Sequence, residues 1–118
     1  AVEAIVLPTG AEVLSGSTRL KAGTAQKIAL NTLSTAIMVR MGKVHDNLMI
    51  DVVATNEKLR ARAQRLVRTL TGADDEQVQA ALESAGGSAK VAVVMLARRV
   101  DAEHARAMLR SETLRSLL

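Results

Sequence analysis

Asp74–Ser88, with the sequence DDEQVQAALESAGGS, contains the signals for a complete helix and the turn that follows it. Asp74 and Gln77 have the spacing of a capping box, in which each side chain binds a backbone N–H group of the other residue. Apolar residues then recur at helical spacing, at Val78, Ala81, Leu82 and Ala85. Gly86-Gly87 can turn the chain, and Ser88 can cap a further helix.

Helices of the same kind are predicted on both sides of this stretch. Thr55 can cap a helix that ends at Gly72, and Asp101 can begin another. The predicted buried residues of these neighbouring helices are Leu59, Ala63, Leu66, Val67, Leu70, Val91, Val94, Met95, Leu96, Ala105, Met108 and Leu109. A last turn carries Leu114, Leu117 and Leu118. We therefore predict a small orthogonal bundle of short helices over residues 55–118.

The chain before residue 55 has a different pattern. Ala4–Leu7 is a short apolar run closed by Pro8-Thr9-Gly10, which predicts a buried strand that ends in a turn. Such a strand needs partners, and Leu48–Val53 is the only other segment with a comparable signal. We therefore expect residues 1–54 to be part of a larger α/β domain.

A long helix is predicted over Gly23–Met41, and Gly42 would end it. Its apolar residues lie on nearly every side, which is typical of a helix buried on more than one face. We expect it to pack on a sheet outside this chain, against another subunit, or both.

Leu14–Lys27, with the sequence LSGSTRLKAGTAQK, has the composition of an anion site. Glycines let successive backbone N–H groups point one way, and the following helix N-terminus adds partial positive charge. Arg19 and Lys21 supply full charges, and the hydroxyl donors are Ser15, Ser17, Thr18 and Thr24. The alternative is a polar loop that caps the helix and has solvated cations. Glu12 could bind backbone N–H groups of this loop or contact a ligand.

Composition excludes several kinds of chemistry. The 118 residues include no Cys, Phe, Trp or Tyr, so disulfides, thiolate chemistry and base stacking on aromatic rings are excluded. The formal net charge is +4, and Thr55–Ala73 holds five cations against Glu57 alone. That basic helix is either a solvated face or a surface for phosphate, nucleic acid or an acidic partner.

Other candidate sites are weak. His45 and His104 lack companion ligands at useful spacing, so we predict no metal site. No serine lies in a strand-turn-helix elbow with histidine and acid partners. The chain shows neither a signal peptide nor an apolar run of membrane-spanning length, and a cytoplasmic protein is expected.

The segment Gly10–Lys27 resembles the signature shared by the N-acetylmuramic acid 6-phosphate etherases and the glucokinase regulatory protein. Further matching segments, similar to the etherase branch, are Asn31–Thr35, Gly42–Val44, Asn47–Asp51 and Thr55–Arg60. The resemblance runs over essentially the whole chain and covers the C-terminal portion of such an etherase. Ala11 stands where the family usually has proline, and His45 where it usually has an aromatic residue.

The resemblance implies a mainly α chain made of two parts. Residues 1–54 would be the C-terminal edge of an α/β SIS (sugar isomerase) domain, and residues 55–118 a helical ubiquitin-associated-like domain. Ser17, Thr18, Arg19 and Lys21 would lie near a sugar phosphate, with Glu12 beside them. The Gly23–Met41 helix would face the interface of a homodimer.

The implied reaction is cleavage of the lactyl ether of N-acetylmuramic acid 6-phosphate, without metal or cofactor. The glutamates that act as general acid and base would lie upstream of this chain, so no catalytic residue is assigned here. No nucleic-acid or membrane partner is expected. Two alternatives stay open: a non-enzymatic regulator that binds a sugar phosphate, and a helical protein-interaction module.

Overall fold

The computed structural model describes residues 3–118, which are mainly helical. The elements are α1 (Lys21–Arg40), β1 (Val44–His45), β2 (Leu48–Met49), α2 (Glu57–Thr71), α3 (Asp75–Ser84), α4 (Ala89–Arg98), α5 (Ala102–Ser111) and α6 (Leu114–Leu117). The chain forms two compact units, which divide after Arg40.

Helix α1 dominates the first unit and has no buried residue. The prediction of a long helix is confirmed, although it begins at Lys21 and ends at Arg40, and Gly42 then adopts a φ of 66°. Its large aliphatic side chains are about half exposed, namely Ile28, Leu30, Leu33, Ile37 and Val39. Within its own unit, the helix therefore leaves its apolar faces uncovered.

The strand predicted over Ala4–Leu7 is not formed. These residues have no regular secondary structure, and 64% of Ile5 and 81% of Val6 are exposed. A strand needs the backbone groups of a neighbouring strand, and the described residues of this unit contain none. Ile5 and Leu7 instead line a groove along α1, beside Ile28 and Leu33.

The second unit has a continuous core of aliphatic side chains around α4. Five residues of α4 are buried, and this helix packs against α2, α3, α5 and α6. The predicted helices are confirmed, and the predicted buried residues Ala63, Leu66, Val67, Val78, Ala81, Leu82, Ala85, Val91, Val94, Ala105, Leu114 and Leu117 lie in this core. Leu118, predicted with them, is exposed.

Most of the predicted caps are also confirmed. Gln77 N donates to Asp74 Oδ1 over 2.8 Å and Asp74 N donates to Gln77 Oε1 over 3.4 Å, which completes the capping box. Ser88 caps α4 and Asp101 caps α5. The cap predicted at Thr55 is wrong, because α2 begins one residue later. The side chain of Asn56, three residues before Leu59, accepts from Leu59 N over 2.9 Å.

The connector from residue 41 to 54 belongs to the second unit. β1 and β2 form a short antiparallel hairpin that the sequence did not predict. The extended segment predicted over Leu48–Val53 is formed only in part: Leu48–Met49 pairs, while Ile50 and Val52 enter the core of the bundle. The sequence places a boundary after Ala54, whereas the packing divides the chain after Arg40.

We predict that Ile50→Ala destabilises the second unit, because Ile50 is 1% exposed and its side chain fills the core. The free energy of unfolding should fall by about 2–5 kcal/mol, the range for truncating a buried aliphatic side chain to alanine. Urea unfolding followed by far-UV circular dichroism is the appropriate measurement, since the chain has no aromatic side chain.

Val53→Ala is the matched control, because Val53 lies in the same connector and is 53% exposed. The free energy of unfolding of this variant should change by no more than about 0.5 kcal/mol. If Ile50→Ala lowered the free energy of unfolding no more than Val53→Ala does, the packing of Ile50 in the core would be contradicted.

Candidate functional site

The loop before α1 is closed at its neck by three hydrogen bonds, which we call the clasp. Lys21 N donates to Glu12 Oε2 over 3.0 Å, and Ala22 N donates to Glu12 Oε1 over 2.9 Å. Lys21 Nζ donates to the carbonyl oxygen of Ala11 over 2.8 Å. The clasp joins residues 11–12 to residues 21–22 and makes residues 13–20 a closed loop.

The loop consists of backbone turns, and its end is hydrogen-bonded to the first turn of α1. Ser17 N donates to Leu14 O over 3.0 Å, and Leu20 N donates to Ser17 O over 3.3 Å. Gly23 N donates to Thr18 O over 2.8 Å. A Cβ atom on Gly23 would lie 3.3 Å from that same carbonyl oxygen, so a side chain there would crowd the turn.

The five candidate site residues lie close in the fold but differ in what they contact. Glu12 and Lys21 make the clasp. Arg19 and Thr18 are exposed and Ser17 is partly exposed. Among residues 3–118, the side chains of these last three residues make no hydrogen bond or ion pair with the rest of the protein. Their donors are therefore free to bind a ligand.

The sequence allowed two roles for Glu12, and in the structure its carboxylate binds backbone N–H groups. The first N–H groups of a helix have no partner within the helix, and a negative charge is favourable at that end of its dipole. Glu12 satisfies two of these groups. An anion at the same two N–H groups would have to displace this carboxylate.

The basic helix is α2, in the second unit. Lys58, Arg60, Arg62 and Arg65 are exposed and form no ion pair within the described part of the chain, whereas Arg68 pairs with Asp75. Like charges three and four residues apart repel one another along a helix. These cations therefore give α2 a positively charged surface.

A polar groove between α2 and α3 had no signal in the sequence. Gln64 Nε2 donates to Gln79 Oε1 over 2.8 Å, and Gln79 Nε2 donates to Glu83 Oε1 over 2.7 Å. Arg60, Gly86-Gly87 and the apolar residues Ala54 and Leu82 complete its lining. The amides come from separate helices, and only the packing of α2 on α3 brings them together.

The two histidines have acidic neighbours. His45 Nε2 lies 3.9 Å from Asp46 Oδ2, and His104 Nδ1 lies 2.9 Å from both carboxylate oxygens of Asp101. The side-chain hydrogen bond to Asp101 raises the pKa of His104 above its ordinary value. The pKa of Asp101 is lowered, first by the backbone N–H of His104 and then by its ring.

No group of three potential metal ligands occurs within residues 3–118. The helices of the same residues are too short or too polar to cross a membrane.

Most of the chain is similar to proteins named N-acetylmuramic acid 6-phosphate etherase. It is 62% identical over 101 residues to the one from Deinococcus radiodurans, an alignment of 86% of this chain and 33% of that protein. For the one from Pseudothermotoga lettingae, the identity is 50% over 109 residues, covering 92% of this chain and 36% of the relative. For the one from Escherichia coli O1:K1, the identity is 52% over 103 residues, covering 87% of this chain and 35% of the relative. No family model matches the chain.

The chain thus spans about a third of the length of the curated relatives that it matches. The match is to the C-terminal part of these etherases. The resemblance inferred from the motifs is confirmed.

We predict that Asp101→Asn lowers the pKa of His104 toward the ordinary value for histidine, because the substitution removes the anionic partner of the ring. The measurement is an NMR titration of the His104 ring in both proteins. The Asp101–His104 pair should stabilise the fold most at pH values between the ordinary pKa values of aspartate and histidine. Its contribution is lost as pH falls through the lowered pKa of Asp101, and as pH rises through the raised pKa of His104. An identical His104 pKa in the two proteins would contradict the pairing.

Proposed function

We propose that this chain is the C-terminal portion of a lyase that cleaves the D-lactyl ether of N-acetylmuramic acid 6-phosphate. The products would be N-acetylglucosamine 6-phosphate and D-lactate, in the recycling of cell-wall amino sugars. The observation that carries the proposal is the similarity to etherases at 50–62% identity over 86–92% of the chain.

The loop of residues 13–20 is the proposed sugar-phosphate site. Ser17, Thr18 and Arg19 would contact the phosphate, with Lys21 and Glu12 at the neck of the loop. The support is the free guanidinium of Arg19 next to two free hydroxyls on a loop that is already folded. Arginine and hydroxyl donors match phosphate oxygens in geometry and charge.

The acid and base of the reaction are proposed to lie in the part of the parent protein that this chain does not span. Elimination of lactate beside a carbonyl group requires proton abstraction and protonation of the leaving oxygen. Glu3 and Glu12 are the only carboxylates before residue 41, and Glu12 is already bound to two backbone N–H groups. The first unit therefore supplies ligand-binding groups, and another segment supplies the acid and base.

The proposal includes a cytoplasmic homodimer that contacts its partner through Gly23–Met41. The exposed aliphatic side chains of α1 support it, because a helix that is apolar all round is stable only when covered. Residues 1–54 would form the edge of an SIS-type domain, and residues 55–118 a ubiquitin-associated-like bundle onto which residues 41–54 pack.

The test is release of D-lactate by the complete protein that contains this chain, with N-acetylmuramic acid 6-phosphate as substrate. No release from a folded protein would contradict the lyase. Retained binding of the sugar phosphate in that case would favour the regulatory alternative instead.

Arg19→Ala should weaken the affinity of the complete protein for N-acetylglucosamine 6-phosphate by about ten- to a hundredfold. A charge-assisted phosphate contact is worth about 1.5–3 kcal/mol, which corresponds to that factor. Isothermal titration calorimetry measures the affinity. The matched control is Lys27→Ala, which removes an exposed cation of the same unit from the body of α1. If both variants bind as tightly as the unmodified protein, Arg19 is not a phosphate ligand.

A further inference from the structure

We infer that Glu12 and Lys21 are positioning residues, which hold the loop of residues 13–20 in its binding shape and do not themselves contact the sugar phosphate. The inference rests on the proposed function, because it divides the candidate site residues of that function into two roles. Ser17, Thr18 and Arg19 bind, and the clasp keeps them in place.

The geometry of Glu12 is that of a complete cap. Each carboxylate oxygen accepts from a different backbone N–H group, over 2.9 and 3.0 Å. A side chain tethered within the same loop competes at high effective concentration with any free anion for these two groups. The start of α1 is therefore filled by the protein itself, and the phosphate must be held by the groups that remain free.

Lys21 takes part in the clasp twice. Its backbone N–H donates to Glu12, and its ammonium group donates to the carbonyl oxygen of Ala11. The ammonium group is thereby held against the residue that precedes Glu12. Arg19 is the one cation between residues 13 and 20, and its exposed guanidinium makes no hydrogen bond or ion pair with the described residues.

Within the first unit, the clasp is the main contact that fixes the beginning of the loop. Val13 is 85% exposed and Leu14 is 64% exposed, so apolar burial does not fix its shape. The short turns between Leu14 and Leu20 set local curvature, and backbone bonds from Gly23 and Thr24 to Thr18 and Leu20 tie only the end of the loop to α1. Without the clasp, ligand binding would have to order the beginning of the loop, and the conformational entropy lost would be subtracted from the affinity.

The test compares Glu12→Ala, Glu12→Gln and Lys21→Met in the complete protein, with Glu3→Ala and Lys27→Met as matched controls. Glu3 and Lys27 are exposed residues of the same unit and lie outside the clasp. Two quantities are measured for each variant. The first is hydrogen exchange of the Lys21, Ala22 and Gly23 amides without ligand, and the second is the affinity for N-acetylglucosamine 6-phosphate by calorimetry.

We expect Glu12→Ala to speed exchange of the Lys21 and Ala22 amides and to weaken binding by about tenfold, as when hydrogen bonds to a charged group are lost. Glu12→Gln keeps one acceptor oxygen and should have smaller effects on both quantities. Lys21→Met should speed exchange in the same region and weaken binding, whereas the two controls should change neither. Arg19→Ala should weaken binding without changing exchange.

Other outcomes separate the two proposals. Weaker binding by Glu12→Ala with unchanged exchange would make Glu12 a direct ligand contact and overturn the inference. If Arg19→Ala weakens binding but Glu12→Ala changes neither quantity, the clasp has no positioning role and the phosphate site stands. If Arg19→Ala and all the clasp variants leave affinity unchanged, the proposed phosphate site itself is wrong. The far-UV circular dichroism spectrum checks that each variant is folded.

Discussion

The unpaired N–H groups at the start of a helix must find acceptors, and all six described helices of this chain depend on that constraint. In the second unit, Asn56, Asp74, Ser88, Asp101 and Thr113 each supply a side-chain oxygen to the N–H group three residues ahead. In the first unit, the acceptor is Glu12, nine and ten residues before its donors. A local cap orders one turn of a helix, whereas this distant cap also closes a loop. The same physical requirement thus starts the helices of a bundle in one unit and closes the loop of a candidate binding site in the other.

This difference in range explains how much the sequence could predict. A cap three residues from its donor, followed by apolar residues at helical spacing, is visible in the sequence, and the helices from Asp74 onward follow from it. For Glu12 the sequence left two interpretations open, backbone binding and ligand contact, because no local pattern requires it to meet Lys21 and Ala22. The hairpin of β1 and β2 has only two residues in each strand, too few for an alternating pattern. The strand expected at Ala4–Leu7 is not formed here, because the strands that it was expected to pair with are not among the described residues.

The two units also differ in how their apolar surface is covered. The second unit buries its aliphatic side chains around α4, with α2, α3, α5 and α6 as cover. The first unit leaves five aliphatic side chains of α1 about half exposed. Full burial of such a side chain contributes about 1.5–3 kcal/mol, and about half of that contribution is missing for each of the five. This contrast is the physical basis for the proposal that α1 lies at an interface.

A carboxylate at the start of α1 also determines what kind of anion site the loop can be. An open helix N-terminus attracts phosphates, sulfates and carboxylates alike, because its backbone N–H groups and dipole distinguish little between anions. Because Glu12 occupies that position, the proposed recognition depends on side chains with specific geometry. These are the planar guanidinium of Arg19 and the hydroxyls of Ser17 and Thr18. Selectivity then depends on how firmly the loop holds these three groups relative to one another. In the proposed site, the internal carboxylate of Glu12 therefore excludes a general anion site at the helix start, and a phosphate on a sugar would be bound by side chains alone.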